Sequence, residues 1–71
     1  MTPKKYLTYR RNIARQALAA AYEDWPTDKR QCITDALTDI QHLCDAQRLD
    51  FTDVMRIAND NARAERAGAQ S

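Results

Sequence analysis

The stretch ITDALTDIQHLC, residues 33–44, decides the fold class because its apolar residues recur with the period of an α-helix. They are spaced i, i+3, i+4, i+7, i+10 and i+11 along one face: Ile33, Ala36, Leu37, Ile40, Leu43 and Cys44. Asp35, Asp39 and His42 fall on the opposite face. The spacing therefore predicts an amphipathic helix over residues 28–47.

The residues before this helix predict another one. Thr2 followed by Pro3 fits an N-cap with proline at the first helical position. A broad, alanine-rich apolar face follows. Pro26 disfavours helical geometry at the residue before it, and Thr27 can cap what comes next. We therefore expect a first helix over residues 3–22.

A third helix is indicated after residue 50. Asp50 is a good N-cap, and Asp53 lies in the first turn, where a carboxylate complements the helix dipole. The apolar face continues through Phe51, Val54, Met55, Ala58 and Ala62. The tail RAGAQS has no apolar face to bury, so we expect the helix to span residues 51–66 and the remaining residues, 66–71, to fray.

Length and composition agree with an all-α fold. A chain of 71 residues makes one domain, and it buries only about 60% of the surface that its unfolded form exposes. One glycine and two prolines are too few for the tight turns of a β-meander. We predict a single helical domain, a small three-helix bundle with a thin core.

The charge is strongly polarised along the chain. Residues 1–22 carry five basic side chains and no acid, whereas the remainder carries six basic residues against all ten acids, a net −4. On the first helix Lys4, Arg11 and Arg15 form one stripe with Lys5 at its side. Such a stripe can follow a phosphate backbone, so nucleic-acid binding is the alternative function.

Arg10 does not belong to that basic stripe. It projects among Tyr6, Tyr9 and Ile13 on the apolar face, where we expect water to be scarce and an acid to pair with it. These four residues are the predicted protein-binding surface. Trp25, in the turn before Pro26, either joins that surface or folds back over the end of the bundle.

Residues with the potential for chemistry do not assemble into a predicted catalytic or metal site. Cys32 and Cys44 lie about 18 Å apart on one helix, too far for a disulfide, so we expect reduced thiols. His42 points away from Cys44, and a zinc site needs more ligands than this pair supplies. Asp35 and Asp39 lie on a convex helix face, which favours an acidic docking patch over acid–base catalysis.

The compartment is also predicted. The start MTPKKYL has no apolar segment after its lysines, and the longest apolar run, ALAAAY, is far too short to span a bilayer. Reduced cysteines are typical of the cytoplasm. We therefore expect a cytoplasmic protein with no membrane partner.

A helix-turn-helix interpretation of the second and third helices has weaknesses. Cys44 takes its small-residue position and Leu49 its turn hydrophobe, but Arg48 stands where glycine commonly makes the turn. The would-be recognition helix opens with Asp50 and Asp53, which would face phosphates. This interpretation is therefore a degenerate form of the nucleic-acid alternative.

The stretch LTDIQHLCDAQRLDFTDVMRIANDNARAE, residues 37–65, contains the triplet LCD at residues 43–45, then LDF at residues 49–51 and alanine after it. It resembles short, functionally uncharacterised helical accessory proteins of bacterial phages, plasmids and integrative elements. The resemblance covers under half the chain and implies an accessory gene product. Small mobile-element proteins of this size often inhibit or adapt host machinery, as anti-CRISPR proteins do, so the resemblance implies an inhibitor or adaptor.

The function predicted from these observations is a non-enzymatic, helical protein-binding module. Its partner is a protein of unspecified identity or a second copy of the chain, reached through the first helix. We expect no cofactor, no metal and no small-molecule substrate.

Overall fold

The structure, a computed structural model, describes residues 4–70, with side chains described as far as Ala69. Within that range the chain forms three helices and no strand: α1 (Lys4–Ala21), α2 (Lys29–Ala46) and α3 (Phe51–Gln70). Every pair of helices is in contact. The predicted three-helix bundle is confirmed, while the predicted cap at Thr2 and Pro3 lies outside the described residues.

The turn between α1 and α2 is held by its own backbone. The carbonyl of Asp24 accepts hydrogen bonds from the amides of Thr27 and Asp28, both at 3.0 Å. Asp28, not Thr27 as predicted, caps α2, because its Oδ1 accepts a hydrogen bond from the amide of Gln31 at 3.0 Å. The N-cap therefore lies one residue later than predicted. Thr27 belongs to the turn, because its amide is hydrogen bonded to the carbonyl of Asp24.

The turn between α2 and α3 is a Schellman motif with an unusual residue at its centre. The amide of Leu49 donates a hydrogen bond to the carbonyl of Cys44 at 2.8 Å, and the amide of Arg48 donates one to the carbonyl of Asp45 at 3.2 Å. This closure needs a left-handed residue, and Arg48 takes that position with φ 59°. Glycine adopts such a φ without the clash that a Cβ introduces.

Replacing Arg48 with glycine should therefore stabilise the protein. We expect Arg48→Gly to raise the free energy of unfolding by about 1 kcal/mol, because the left-handed penalty is removed. The matched control is Arg63→Gly, an exposed position inside α3, which should cost about 1 kcal/mol. Urea titrations followed by far-UV circular dichroism measure both, and a destabilised Arg48→Gly would contradict the turn geometry.

The start of α3 is capped as predicted. Asp50 Oδ1 accepts hydrogen bonds from the amides of Thr52 at 2.9 Å and Asp53 at 3.3 Å. The Asp53 carboxylate turns along the helix instead of back to the cap. It accepts a hydrogen bond from Arg56 at 2.5 Å, and Arg56 also approaches Asp60 at 4.0 Å.

The predicted end of the third helix at residue 66 is wrong. Helix α3 continues to Gln70, and Ala69 is only 8% exposed. The reason is antiparallel packing against α1: Lys4 lines one groove with Ala69, and Ala14 lines another with Ala62. The small residues of the tail bury against a neighbouring helix, a tertiary contact that the pattern of the tail alone does not show.

The bundle is thin and spread out. Within the described side chains only Cys32, Cys44 and Ala69 are buried apolar residues. The molecule measures 37 × 31 × 16 Å, and its radius of gyration of 13.9 Å exceeds the roughly 11 Å of a compact domain of this length. The three helices therefore form an open slab, and much of their apolar surface lies outside a core.

Candidate protein-binding surface

A large apolar surface faces solvent. The accessible area is 5909 Å², against roughly 4,500 Å² for a compact monomer of this size. Within residues 4–70, eleven large apolar side chains are 36–59% exposed: Tyr6, Tyr9, Ile13, Ile33, Leu37, Ile40, Leu43, Leu49, Val54, Met55 and Ile57. Apolar exposure on this scale is typical of an interaction surface.

Part of this surface is a groove between α1 and α2, called here the apolar groove. It has a volume of about 450 Å³ and is lined by Ala14, Ala17, Leu18, Ala21, Tyr22, Ile33, Ala36, Leu37 and Ile40. Among these residues only Tyr22 has a polar side-chain group. Because the α1 wall is mostly alanine, another helix can approach its backbone closely.

The apolar groove contains residues that the sequence pattern places in a core. Ile33, Leu37 and Ile40 belong to the apolar face of α2, yet each stays more than one-third exposed. They line one wall of the apolar groove, and alanines opposite are too short to cover them. The helical period identified the apolar face of α2, but it did not show that this face would remain exposed to solvent.

A second apolar feature lies on α1 beside the groove. Tyr6, Tyr9 and Ile13 are spaced i, i+3 and i+7, so they share one face of the helix, here called the tyrosine stripe. All three are exposed, Tyr9 to 59%. Ala17, four residues after Ile13, belongs to the lining of the apolar groove. The stripe and the groove are therefore neighbours on one helix.

The tyrosine stripe is open because α1 packs through the other edge of its apolar face. Leu7 and Leu18 are half-buried, and they line the grooves that face α3 and α2 respectively. Residues 6, 9 and 13 lie roughly a quarter-turn or more away from that edge. The predicted protein-binding residues of the first helix are thus accessible to a partner.

Arg10 lies in wetter surroundings than predicted. The side chain is exposed, and within the described residues it belongs to neither ion pair. It lines a groove between α1 and α3 together with Glu65 and Arg66. The expectation that water is scarce at Arg10 is wrong. Helix α1 packs against its neighbours through Leu7 and Leu18, which leaves the Arg10 side chain exposed to solvent.

The two predicted docking acids have partners within the chain. Asp39 Oδ2 accepts a hydrogen bond from the Tyr22 hydroxyl at 2.5 Å, which ties the end of α1 to the middle of α2. Asp35 Oδ1 accepts a hydrogen bond from Gln31 Nε2 at 2.8 Å. Asp39 is exposed and Asp35 half-buried, so they do not form a freely projecting acidic patch.

The bond to Asp39 raises the pKa of Tyr22 from 10.0 to about 12, with partial burial as the second cause. A raised pKa means that this bond contributes stability below pH 10 that disappears as the pH rises toward about 12. We expect Tyr22→Phe to lack the late tyrosine ionisation and to be less stable at neutral pH. The difference between wild-type and variant absorbance titrations measures this, and a Tyr22 ionisation near pH 10 would contradict the bond.

Trp25 folds back toward the bundle. It is half-buried and lines a groove of about 320 Å³ with residues of both α1 and α2, including Arg11, Arg15 and Ile33. Its amide donates to the carbonyl of Tyr22 at 3.3 Å. The half-exposed indole lies between the basic side of α1 and the wall of α2, away from the tyrosine stripe.

The basic stripe of α1, made of Lys4, Arg11 and Arg15, lies on the side opposite the tyrosine stripe, while Lys5 lies beside Tyr9. All four, Lys4, Lys5, Arg11 and Arg15, are exposed, and Arg15 donates to Asn12 Oδ1 at 2.7 Å. Lys4 and Arg11 line a groove of about 350 Å³ with Arg66 of α3. The sequence pattern missed Arg66, because its proximity depends on the antiparallel packing of α1 and α3.

The thiols are the most enclosed groups of the described residues. Cys32 is 0% exposed and its Sγ donates to Asp24 Oδ1 at 3.4 Å; burial, then this bond, raises its pKa to about 11. Cys44 is buried too, and both cysteines are free. His42 is exposed on α2. Residues 4–70 bring together no group of three or more metal-ligating side chains.

Comparison with known proteins adds no relative: no family model, curated protein or solved structure matches this chain. Among the described residues, none of the helices combines the length and the apolar character needed to cross a bilayer. Any functional conclusion therefore rests on the apolar groove, the tyrosine stripe and the charges around them.

Proposed function

We propose that this chain is a non-enzymatic protein-binding module that acts through the apolar groove and the tyrosine stripe. The observation that carries the proposal is their continuity: Ala17 joins the open face of α1 to a groove walled by Leu37 and Ile40. Exposed aromatic and aliphatic side chains beside a concave apolar wall are features of protein interfaces.

The character of this surface favours binding over catalysis. A catalytic site places titratable groups in an enclosed cleft, whereas the apolar groove is open and walled by alkyl side chains. Its one polar group, Tyr22, is already hydrogen bonded to Asp39. We further propose a cytoplasmic adaptor or inhibitor, of the kind that small mobile-element proteins supply, and two enclosed free thiols are compatible with that compartment.

The proposal is tested by affinity capture from the native host. Tagged wild-type protein and an Ile13→Asp variant are used as baits, and Ile57→Asp serves as the matched control because Ile57 is a similarly exposed isoleucine that lines none of the grooves described. We expect wild type and Ile57→Asp to capture the same protein, which can be an untagged copy of this chain, and Ile13→Asp not to capture it. Equal capture by all three baits would overturn the proposal.

Nucleic-acid binding remains a second candidate because of one observation. Lys4, Arg11 and Arg66 line a common groove, so the basic stripe is wider than α1 alone. The helix-turn-helix version has less support. Asp50 caps α3, and Asp53 and Asp60 both approach Arg56, so the first turns of that helix offer phosphates little positive charge.

The nucleic-acid candidate predicts affinity that falls steeply with salt. Lys4→Ala combined with Arg11→Ala and Arg66→Ala should reduce the slope of log affinity against log salt by roughly three, near one for each phosphate that is no longer neutralised. Titration of a labelled duplex at two salt concentrations measures it, with Arg63→Ala as the control cation outside this groove. Absence of binding at low salt would end this candidate.

A further inference from the structure

We propose that the partner of the apolar surface is a second copy of this chain. In a twofold-symmetric dimer, the tyrosine stripe of each copy lies in the apolar groove of the other. The inference rests on the proposed function, because it names the occupant of the surface proposed there to bind protein.

The surface area fits a homodimer. The accessible area of 5909 Å² exceeds that of a compact monomer of this size by roughly 1,400 Å². If each copy buries that excess against the other, the interface removes roughly 2,800 Å² in total, within the range of obligate homodimers. A chain with only three buried apolar side chains among the described residues gains most of its core in this way.

The arrangement of the two features suits twofold symmetry. A twofold interface uses one patch on both copies, so the patch must contain both a projecting part and a receiving part. Here the tyrosine stripe projects from α1 and the apolar groove begins at Ala17 of the same helix. Two copies of α1 that cross near Ala17 place each stripe against the other copy's groove, and alanine allows the close approach.

The dimensions are compatible with two stacked layers. The single chain is 16 Å along its thinnest direction. A second slab laid on the open face adds its own 16 Å. Helix axes about 8–10 Å apart leave roughly 4 Å between the Cα atoms of the two slabs, so the particle is roughly 36 Å thick. That thickness brings the assembly closer to the proportions of an ordinary globular domain.

Charge complementarity favours the same occupant. Lys5 and Arg10 flank the tyrosine stripe on α1, so a stripe that lies in the partner's apolar groove brings these two cations toward the acids of α2. Asp39 is exposed and is held by Tyr22, which lines the apolar groove. Arg10 follows Tyr9 on α1, so the crossing offers it an acid on another chain.

Sedimentation velocity over a range of concentrations tests the dimer directly. We expect wild type and Ile57→Asp to sediment as dimers, while Ile13→Asp weakens association by roughly a hundredfold or more, because each copy would desolvate an aspartate. Circular dichroism shows whether the variant is still helical. If Ile13→Asp does not fold, Tyr9→Glu replaces it, since Tyr9 is 59% exposed and contributes little to the monomer.

The outcomes separate this inference from the proposed function. A wild type that stays monomeric at high concentration overturns the dimer, yet capture of a different protein in an Ile13-dependent manner would still support the proposed function. A wild-type dimer that neither Ile13→Asp nor Tyr9→Glu weakens overturns the interface described here. A dimer sensitive to both substitutions and indifferent to Ile57→Asp supports it.

Discussion

Cys32→Asp is expected to leave the chain without a cooperative folded state at room temperature. The Cys32 side chain is 0% exposed, and Asp24, Asp28 and Asp35 are the charged groups that act on it. An aspartate there must either ionise without water beside three acids or stay protonated at a cost. A domain of this size has only about 3–5 kcal/mol of stability, which such a change exceeds.

Two controls isolate the cause of that effect. Cys32→Ala removes the thiol and its bond to Asp24 without adding charge, so it should fold with reduced stability. Thr34→Asp adds the same charge to the same helix at an exposed position and should unfold cooperatively. Far-UV circular dichroism during thermal unfolding measures all three. A Cys32→Asp variant as stable as Thr34→Asp would show that the thiol is not enclosed.

Much of the fold could be predicted because its signals are local. The helical period of residues 33–44, the break at Pro26 and the cap at Asp50 each depend on neighbours a few residues away. Those features give three helices with boundaries close to the observed ones. The errors at Asp28 and at the end of α3 came from competing bonds and from packing between helices, which local patterns do not contain.

The open surface could be predicted only in part. The apolar face of α1 spans about half of the helix, and the four alanines among its nine residues fit either a core or a surface. Packing through Leu7 and Leu18 leaves Tyr6, Tyr9 and Ile13 outside and brings Arg10 into solvent. A broad face does not specify which of its edges packs, so the surroundings of Arg10 were mispredicted.

The hydrogen bond of Asp39 could not be predicted from the sequence either, because it depends on how the helices pack. Its place opposite the apolar face of α2 correctly predicts exposure. Its bond to Tyr22, seventeen residues earlier, depends on the angle at which the turn returns the chain. Arg66 likewise joins Lys4 and Arg11 only because α3 runs antiparallel to α1.

The thermal midpoint of unfolding should rise with protein concentration. If a dimer is the folded species, dilution favours the separated chains, and the midpoint follows the concentration by mass action. With an unfolding enthalpy of about 0.7 kcal/mol per residue summed over two chains, each tenfold increase in concentration raises the midpoint by roughly 5 °C. Calorimetry or circular dichroism over two decades of concentration gives a shift well above measurement error.

The same experiment on Ile13→Asp shows where the effect originates. At concentrations where that variant sediments as a monomer, it should unfold at a lower temperature that does not change with concentration. Ile57→Asp should keep the wild-type dependence, because Ile57 lies outside the apolar groove and the tyrosine stripe. A wild-type midpoint independent of concentration would mean that this open slab is stable as a monomer. The exposed face of α1 and α2 would then be available to a different protein.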